Sequence, residues 1–277
     1  MSQESDAIKS IISQLRPGTT HDICGFRGSS KAMFSARLTS EVKGNILFIL
    51  PQDEQLEPFA QDMRLFTDEE VLIYPSFEIP PYTPLSPDPA TISSRISTLT
   101  RLVNNPEDRL VITSVEALLR RIVPASILDG RSELVITGEE FEHEVLIRSL
   151  VSAGYEQCSL VKQVGDMAVR GSVIDIYSPS PAGLQEGPLR LDFFGDTLES
   201  IRIFDPLTQR SVKELDETVI LPCSDILFPK EGELAAWKEY LFETVAQQDW
   251  SVEAGRYISG QLTEQLRFAG IEFFLPL

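Results

Sequence analysis

Asn45-Ile46-Leu47-Phe48-Ile49-Leu50, closed by Pro51, is a continuous apolar run of strand length. Such a run suits a strand buried on both faces of a parallel sheet. It is far short of the roughly 20 apolar residues that a membrane-spanning helix needs. Around it, strand and helix patterns alternate. Upstream, Ala7, Ile8, Ile11, Ile12 and Leu15 fall at helical spacing before Pro17-Gly18, and His21 to Cys24 is a short strand candidate. Downstream, Leu56, Phe59, Ala60 and Met63 share one face of a helix over Gln52 to Leu65, and Val71 to Tyr74 reads as a strand. Six prolines from Pro75 to Pro89 exclude regular helix or central strand there, because each lacks an N–H and restricts its predecessor. Ile92, Ile96, Leu99, Leu102 and Val103 then mark a helix, Arg109 to Thr113 a strand, and Ser114 the N-cap of a helix over Val115 to Val123. This alternation predicts βαβ units and a parallel sheet with helices on its faces.

From about Glu133 the pattern changes. A strand (Leu134 to Thr137) and a helix (Phe141 to Val151) lead into runs of period two at Ala168 to Tyr177, Leu189 to Phe194 and Leu198 to Phe204. Gly195-Asp196 joins the last two as a two-residue turn suited to a type II′ hairpin. Beyond Pro222, Leu234, Trp237, Tyr240, Leu241 and Val245 share a helical face, a second helix covers about Glu253 to Phe268, and Ile271 to Leu275 reads as a strand. The expected organisation is an α/β domain over residues 1–135, an inserted strand-rich α+β domain over 136–222, and a return to the first domain over 223–277. Ending on an apolar run, the chain reads as a piece of a longer protein.

The chain has 277 residues, with 24 Lys and Arg against 42 Asp and Glu, for a formal net charge of −18. That excess argues against sequence-independent DNA binding, which needs cations to neutralise phosphates. Cys24, Cys158 and Cys223 are odd in number, widely spaced and free of a C-x-x-C pair, so a reducing compartment is expected rather than a disulfide framework or thiolate zinc site. The polar, acidic N-terminus is unlike a signal peptide, and a cytoplasmic location without membrane contact is expected.

Gly25-Phe26-Arg27-Gly28-Ser29-Ser30-Lys31-Ala32 occupies the place of a phosphate-binding loop, between a strand candidate and a helical pattern. The working pattern is G-x-x-x-x-G-K-[ST], in which the second glycine admits the phosphates and the hydroxyl holds Mg²⁺. Counted from Gly25, the second glycine position is Ser30 and the hydroxyl position is Ala32, so Lys31 alone survives. The reading is a degenerate P-loop without catalysis and without nucleotide. Its alternative is a nucleotide-binding or ATPase domain using Lys31. His21 and His143 lie too far apart in sequence to argue for a metal or a catalytic triad.

A resemblance covers essentially the whole chain. Val169-Arg170-Gly171-Ser172-Val173-Ile174-Asp175-Ile176-Tyr177, Arg190-Leu191-Asp192-Phe193-Phe194-Gly195-Asp196, Glu199-Ser200-Ile201-Arg202 and Phe204-Asp205-Pro206-Leu207-Thr208-Gln209-Arg210 carry it. With the degenerate loop, the chain resembles UvrB of bacterial nucleotide-excision repair and, more closely, the N-terminal UvrB-homology module of the bacterial transcription-repair coupling factors. UvrB keeps a working P-loop and a tyrosine-rich DNA-clamping hairpin. Here the loop is degraded, and Phe77 to Pro87 runs directly on to Ser93-Ser94-Arg95-Ile96.

The resemblance implies a degenerate P-loop, RecA/helicase-like parallel-sheet domain interrupted by a strand-rich domain that docks UvrA. It assigns the docking role to Arg170, Arg190 and Phe194. It also implies that ATP, Mg²⁺, DNA and RNA polymerase are handled by a translocase motor and other domains outside this chain, against which the present residues pack. Physically, Arg with an aromatic residue is a usual interface composition, and Arg190 and Phe194, four apart in an extended run, share a side of the sheet. The competing reading makes Arg190 a cross-strand ion-pair partner of Asp192, Asp196 or Glu199, and Phe194 a core residue.

Overall fold

The apolar run at 46–50 is a strand, β1 (Ile46–Leu50), and it pairs in parallel with β3 (Leu110–Ser114), which pairs in parallel with β2 (Val71–Tyr74). The computed structural model describes residues 9–80, 83, 85–104, 110–122, 124–125, 128, 130–180, 187–224, 226, 234–247, 251–264 and 268–271. Within them the protein is a mixed α/β chain with several sheets. It divides into two units, Met1–Ser76 with Arg101–Leu119, and Phe77–Thr100 with Arg120–Leu277.

In the first unit, α1 (Ser30–Glu41) and α2 (Leu56–Arg64) pack on one face of the parallel sheet. Ala32, Ala36, Phe59, Ala60 and Met63 meet Leu50, Val71, Leu110 and Ile112. The helical spacing of Leu56, Phe59, Ala60 and Met63 therefore does mark a buried face. The expectation that β1 is buried on both sides fails. Leu47 and Ile49, which alternate away from the Ile46, Phe48 and Leu50 side that the helices cover, are each 50% exposed. His21 to Cys24 forms no strand either; its polar half, His21 and Asp22, does not suit a parallel sheet, whose strands are apolar on both faces. The helix after β3 is α4 (Val115–Leu118), preceded by the next helix in chain order, α3 (Pro89–Asn104). Ser114 caps α4 as expected, its hydroxyl accepting from the Ala117 N–H at 3.1 Å. But α4 stops at Leu118 rather than Val123. Ala117 is its one buried residue, and so short a helix gains little from packing.

The second unit is built on six strands in the order β10-β9-β8-β7-β6-β5. These are β5 (Glu156–Gln157), β6 (Asp166–Arg170), β7 (Val173–Ile176), β8 (Leu189–Phe194), β9 (Thr197–Phe204) and β10 (Ser211–Leu215). All neighbours are antiparallel except β5 and β6. A separate pair joins β11 (Glu217–Ile220) to β4 (Glu133–Ile136), antiparallel. One face of the large sheet carries the core: Met167, Ile174, Ile176, Leu189, Leu191, Phe193, Leu198 and Ile201 pack with Leu146 and Leu150 of α5 (His143–Ser152). Tyr155 closes it, its buried hydroxyl donating to the Leu221 carbonyl at 2.6 Å.

α3 begins at a proline, where a missing N–H costs nothing, and the Asp88 carboxylate accepts from the Ala90 N–H. Ile96 of this helix is buried with Leu128 and Leu221. Two further helices, α6 (Leu234–Gln247) and α7 (Val252–Thr263), follow, the second capped by Ser251. The expected strand from Ile271 lies, after its first residue, outside the described residues. No described helix is long and apolar enough to cross a membrane. All three cysteines are free thiols.

Candidate docking face

Alternation along β8 separates two residue sets. Leu189, Leu191 and Phe193 enter the core, while Arg190, Asp192 and Phe194 lie on the opposite face. Phe194 is 77% exposed beside a buried Phe193, so of the adjacent pair it is the second that faces water. The turn that follows needs a left-handed residue, which Gly195 supplies at φ 63°. Gly171, at φ 60°, does the same between β6 and β7 and so fixes where Arg170 emerges.

Register brings the arginines to one carboxylate. Asp175 of β7 stands opposite Arg190 of β8 and opposite Ala168 of β6, two residues before Arg170. Arg190 donates from Nε to Asp175 Oδ1 at 2.7 Å and from Nη2 to Oδ2 at 2.9 Å, a two-bond fork. Arg170 Nη2 lies 3.5 Å from the same Oδ2. Asp175 is 1% exposed, Arg190 18% and Arg170 47%, so one buried anion lies under one half-buried and one open cation. The hydrogen bonds to Asp175, outweighing a desolvation that acts the other way, push the Arg190 guanidinium above its ordinary value, so it is charged at every working pH.

Two more groups hold Arg190. Its guanidinium carbon sits 4.6 Å from the centroid of the Phe204 ring, and Nη1 donates to the Gln209 carbonyl at 3.3 Å. Gln209 belongs to the turn between β9 and β10, where it adopts φ 60°. The Asp205 carboxylate accepts from the Leu207 and Thr208 N–H groups in that turn, and these bonds hold it below the usual carboxylate range. Leu207 is almost fully exposed at the tip. Alongside, Asp192 pairs with Arg202 and accepts from Ser200 Oγ at 3.0 Å.

The competing ion-pair reading of Arg190 therefore has the right chemistry and the wrong partner. Neither Asp192, Asp196 nor Glu199 takes it; Asp175 does, because strand order sets cross-strand partners and sequence distance does not. Asp175, Phe204 and Gln209 were not singled out in advance. A lone carboxylate inside Val173-Ile174-Asp175-Ile176 was the available signal, since a charge in an apolar strand requires a buried counter-ion.

The other candidate residues lie in the first unit. Gly25 and Gly28 both have positive φ, at 94° and 53°. Ser30 begins α1 and its hydroxyl accepts from the Arg27 N–H at 2.7 Å. Lys31 is exposed, with its ammonium 4.8 Å from the centroid of Phe59, and Ala32 is buried in the core. The Phe26 and Phe34 rings meet across the turn with centroids 5.3 Å apart and planes tilted by 45°. The segment thus opens a helix as expected, but from irregular backbone and not from a strand.

Comparison with known proteins falls on the same sheet. Residues 135–225 match the family described as UvrB interaction domain. The chain is 32% identical over 228 residues to the transcription-repair-coupling factor of Myxococcus xanthus, covering 80% of this chain and 19% of that protein. It is 31% identical over 251 residues to that of Escherichia coli (strain K12), covering 90% and 21%. With that of Bacillus subtilis (strain 168) it shares 29% over 239 residues, covering 86% and 20%. The chain spans about a fifth of the length of these curated relatives.

Proposed function

We propose that the outer face of the six-stranded sheet docks UvrA, because residues 135–225 match the UvrB interaction domain family and the chain is similar to transcription-repair-coupling factors over most of its length. The observation that carries this reading is the joint presentation, inside the matched residues, of Arg170 and Arg190 over Asp175 with an exposed Phe194 on the Arg190 strand. Planar donor forks and a rigid aromatic are the groups that dominate interface energies. The fit is to an acidic, partly apolar patch on the partner.

In this reading residues 136–222 are the docking unit, and the chain serves transcription-repair coupling by recruiting UvrA where RNA polymerase has stalled. ATP-driven translocation, DNA and polymerase contacts belong to parts of the longer protein outside these residues. Residues 25–32 are read as a degenerate P-loop that holds no nucleotide, supported by Ala32 at the metal-hydroxyl position and by Lys31 resting on Phe59.

The test is co-elution with purified UvrA. Arg170→Ala with Arg190→Ala abolishes it while far-UV circular dichroism is retained; each hot-spot truncation costs about 2 kcal/mol or more, some thirtyfold in affinity. Co-elution of the double variant at wild-type levels sinks the reading. For the loop, millimolar Mg-ATP leaves the melting temperature unchanged. A site filled to 100 times its Kd adds about 2.7 kcal/mol, and a shift of that size restores the nucleotide reading.

A further inference from the structure

The docking face rests on a buried charge. Asp175 is sealed between β6 and β8 at 1% exposure, in a strand whose neighbours Ile174 and Ile176 fill the core on the other side. Burying a carboxylate costs desolvation that its ion pair only offsets, and apolar residues of similar volume serve stability as well or better. Its geometry instead concerns the arginines. The fork to Arg190 fixes the plane of that guanidinium, Phe204 supports the plane from one face, and Gln209 takes an Nη1 hydrogen. Of the five N–H donors of Arg190, Asp175 takes two and Gln209 one, so two remain for a partner.

Building on the docking reading, we infer that Asp175 is the positioning residue of the UvrA-binding face, orienting Arg190 and drawing in Arg170 without touching the partner. A guanidinium already fixed loses little freedom when a partner carboxylate arrives, which is how preorganisation raises affinity. Asp175 therefore acts chiefly through Arg190, to which it makes two bonds against one looser contact with Arg170, and its effect all but disappears when Arg190 is gone.

The experiment measures UvrA affinity for wild type, Asp175→Asn, Arg190→Ala and the Asp175→Asn/Arg190→Ala pair, with urea midpoints for each. Asp175→Asn weakens binding about tenfold in the wild-type background and less than twofold once Arg190 is gone. Undiminished or tighter binding by Asp175→Asn overturns the inference, and so does an equal loss in both backgrounds, which marks a merely structural role. If Asp175→Asn does not fold, ¹⁵N relaxation of the Arg190 Nε–H in the wild-type chain decides. An order parameter near the rigid-backbone value of about 0.85 supports positioning, and one below about 0.6 overturns it. Wild type failing to bind UvrA removes the docking reading itself, and this inference with it; binding by wild type that Asp175→Asn leaves intact removes this inference alone.

Discussion

Phe193 and Phe194 are chemically identical neighbours with opposite fates, one 4% exposed in the core and the other 77% exposed on the open face. Their difference is set by the half-turn of a strand per residue, so it makes a sharp stability test. Phe193→Ala costs about 3–5 kcal/mol in urea unfolding, by loss of burial and a residual cavity. Phe194→Ala changes stability by no more than about 0.5 kcal/mol, as surface substitutions do. Comparable losses from both would show that the alternation along β8 is wrong. The sequence made one of the pair inward by necessity but could not say which. The core partners Leu189 and Leu191, four and two residues before Phe193, settle it in the fold. Arg190 teaches the complementary lesson. Its need for an anion was legible from its residue type, whereas the identity of that anion depended on β7 lying beside β8.

At the scale of elements, legibility followed the amount of local information. The hairpin β8–β9 was readable because period-two apolar runs flank a glycine that tolerates positive φ. The N-cap at Ser114 was readable because it is a contact three residues long. The position of β1 is legible and its burial is not, since an apolar run looks the same whether one face of the strand is covered or both are. The extent of α4 was misjudged for a related reason. Leu118 and Leu119 are apolar and exposed, so their pattern promised a packing surface that the first unit does not provide. The candidate phosphate loop was judged by its residues, Ser30 and Ala32 above all, and its expected strand at His21 to Cys24 did not form. Composition limits chemistry more reliably than it places a short segment in a sheet.

For the molecule as a whole, the buried hydroxyl of Tyr155 ties stability to alkaline pH. Burial first, and the nearby Cys223 thiol second, push its ionisation well above the ordinary value near 10. The unfolded chain ionises there normally. A group raised on folding contributes fully below the unfolded value, so the tyrosine's contribution holds up to about pH 10 and falls as pH climbs from there. The Cys158 thiol, pushed up by its burial and then by Asp166, adds a loss in the same direction that sets in lower, from about pH 9 where an unfolded thiol ionises. Tyr155→Phe therefore flattens the decline above about pH 10 in urea midpoints, at the expense of about 0.5–1.5 kcal/mol at pH 7 from the lost bond to Leu221. A decline of unchanged steepness in that variant excludes Tyr155 as its source. Beside this, the net charge of −18 sets a solvation background. Against it the cations of the outer sheet face stand out as a local exception.

The alternation along β8 has a consequence for how this surface can change over evolutionary time. Leu189, Leu191 and Phe193 spell the fold, and Arg190, Asp192 and Phe194 spell what the outside world meets, interleaved letter by letter in six residues. Two messages written on alternate letters of one strand can be edited separately. A lineage can rewrite Phe194 while the odd positions keep the hydrophobic grammar intact, whereas a change at Arg190 calls for a matching change at Asp175.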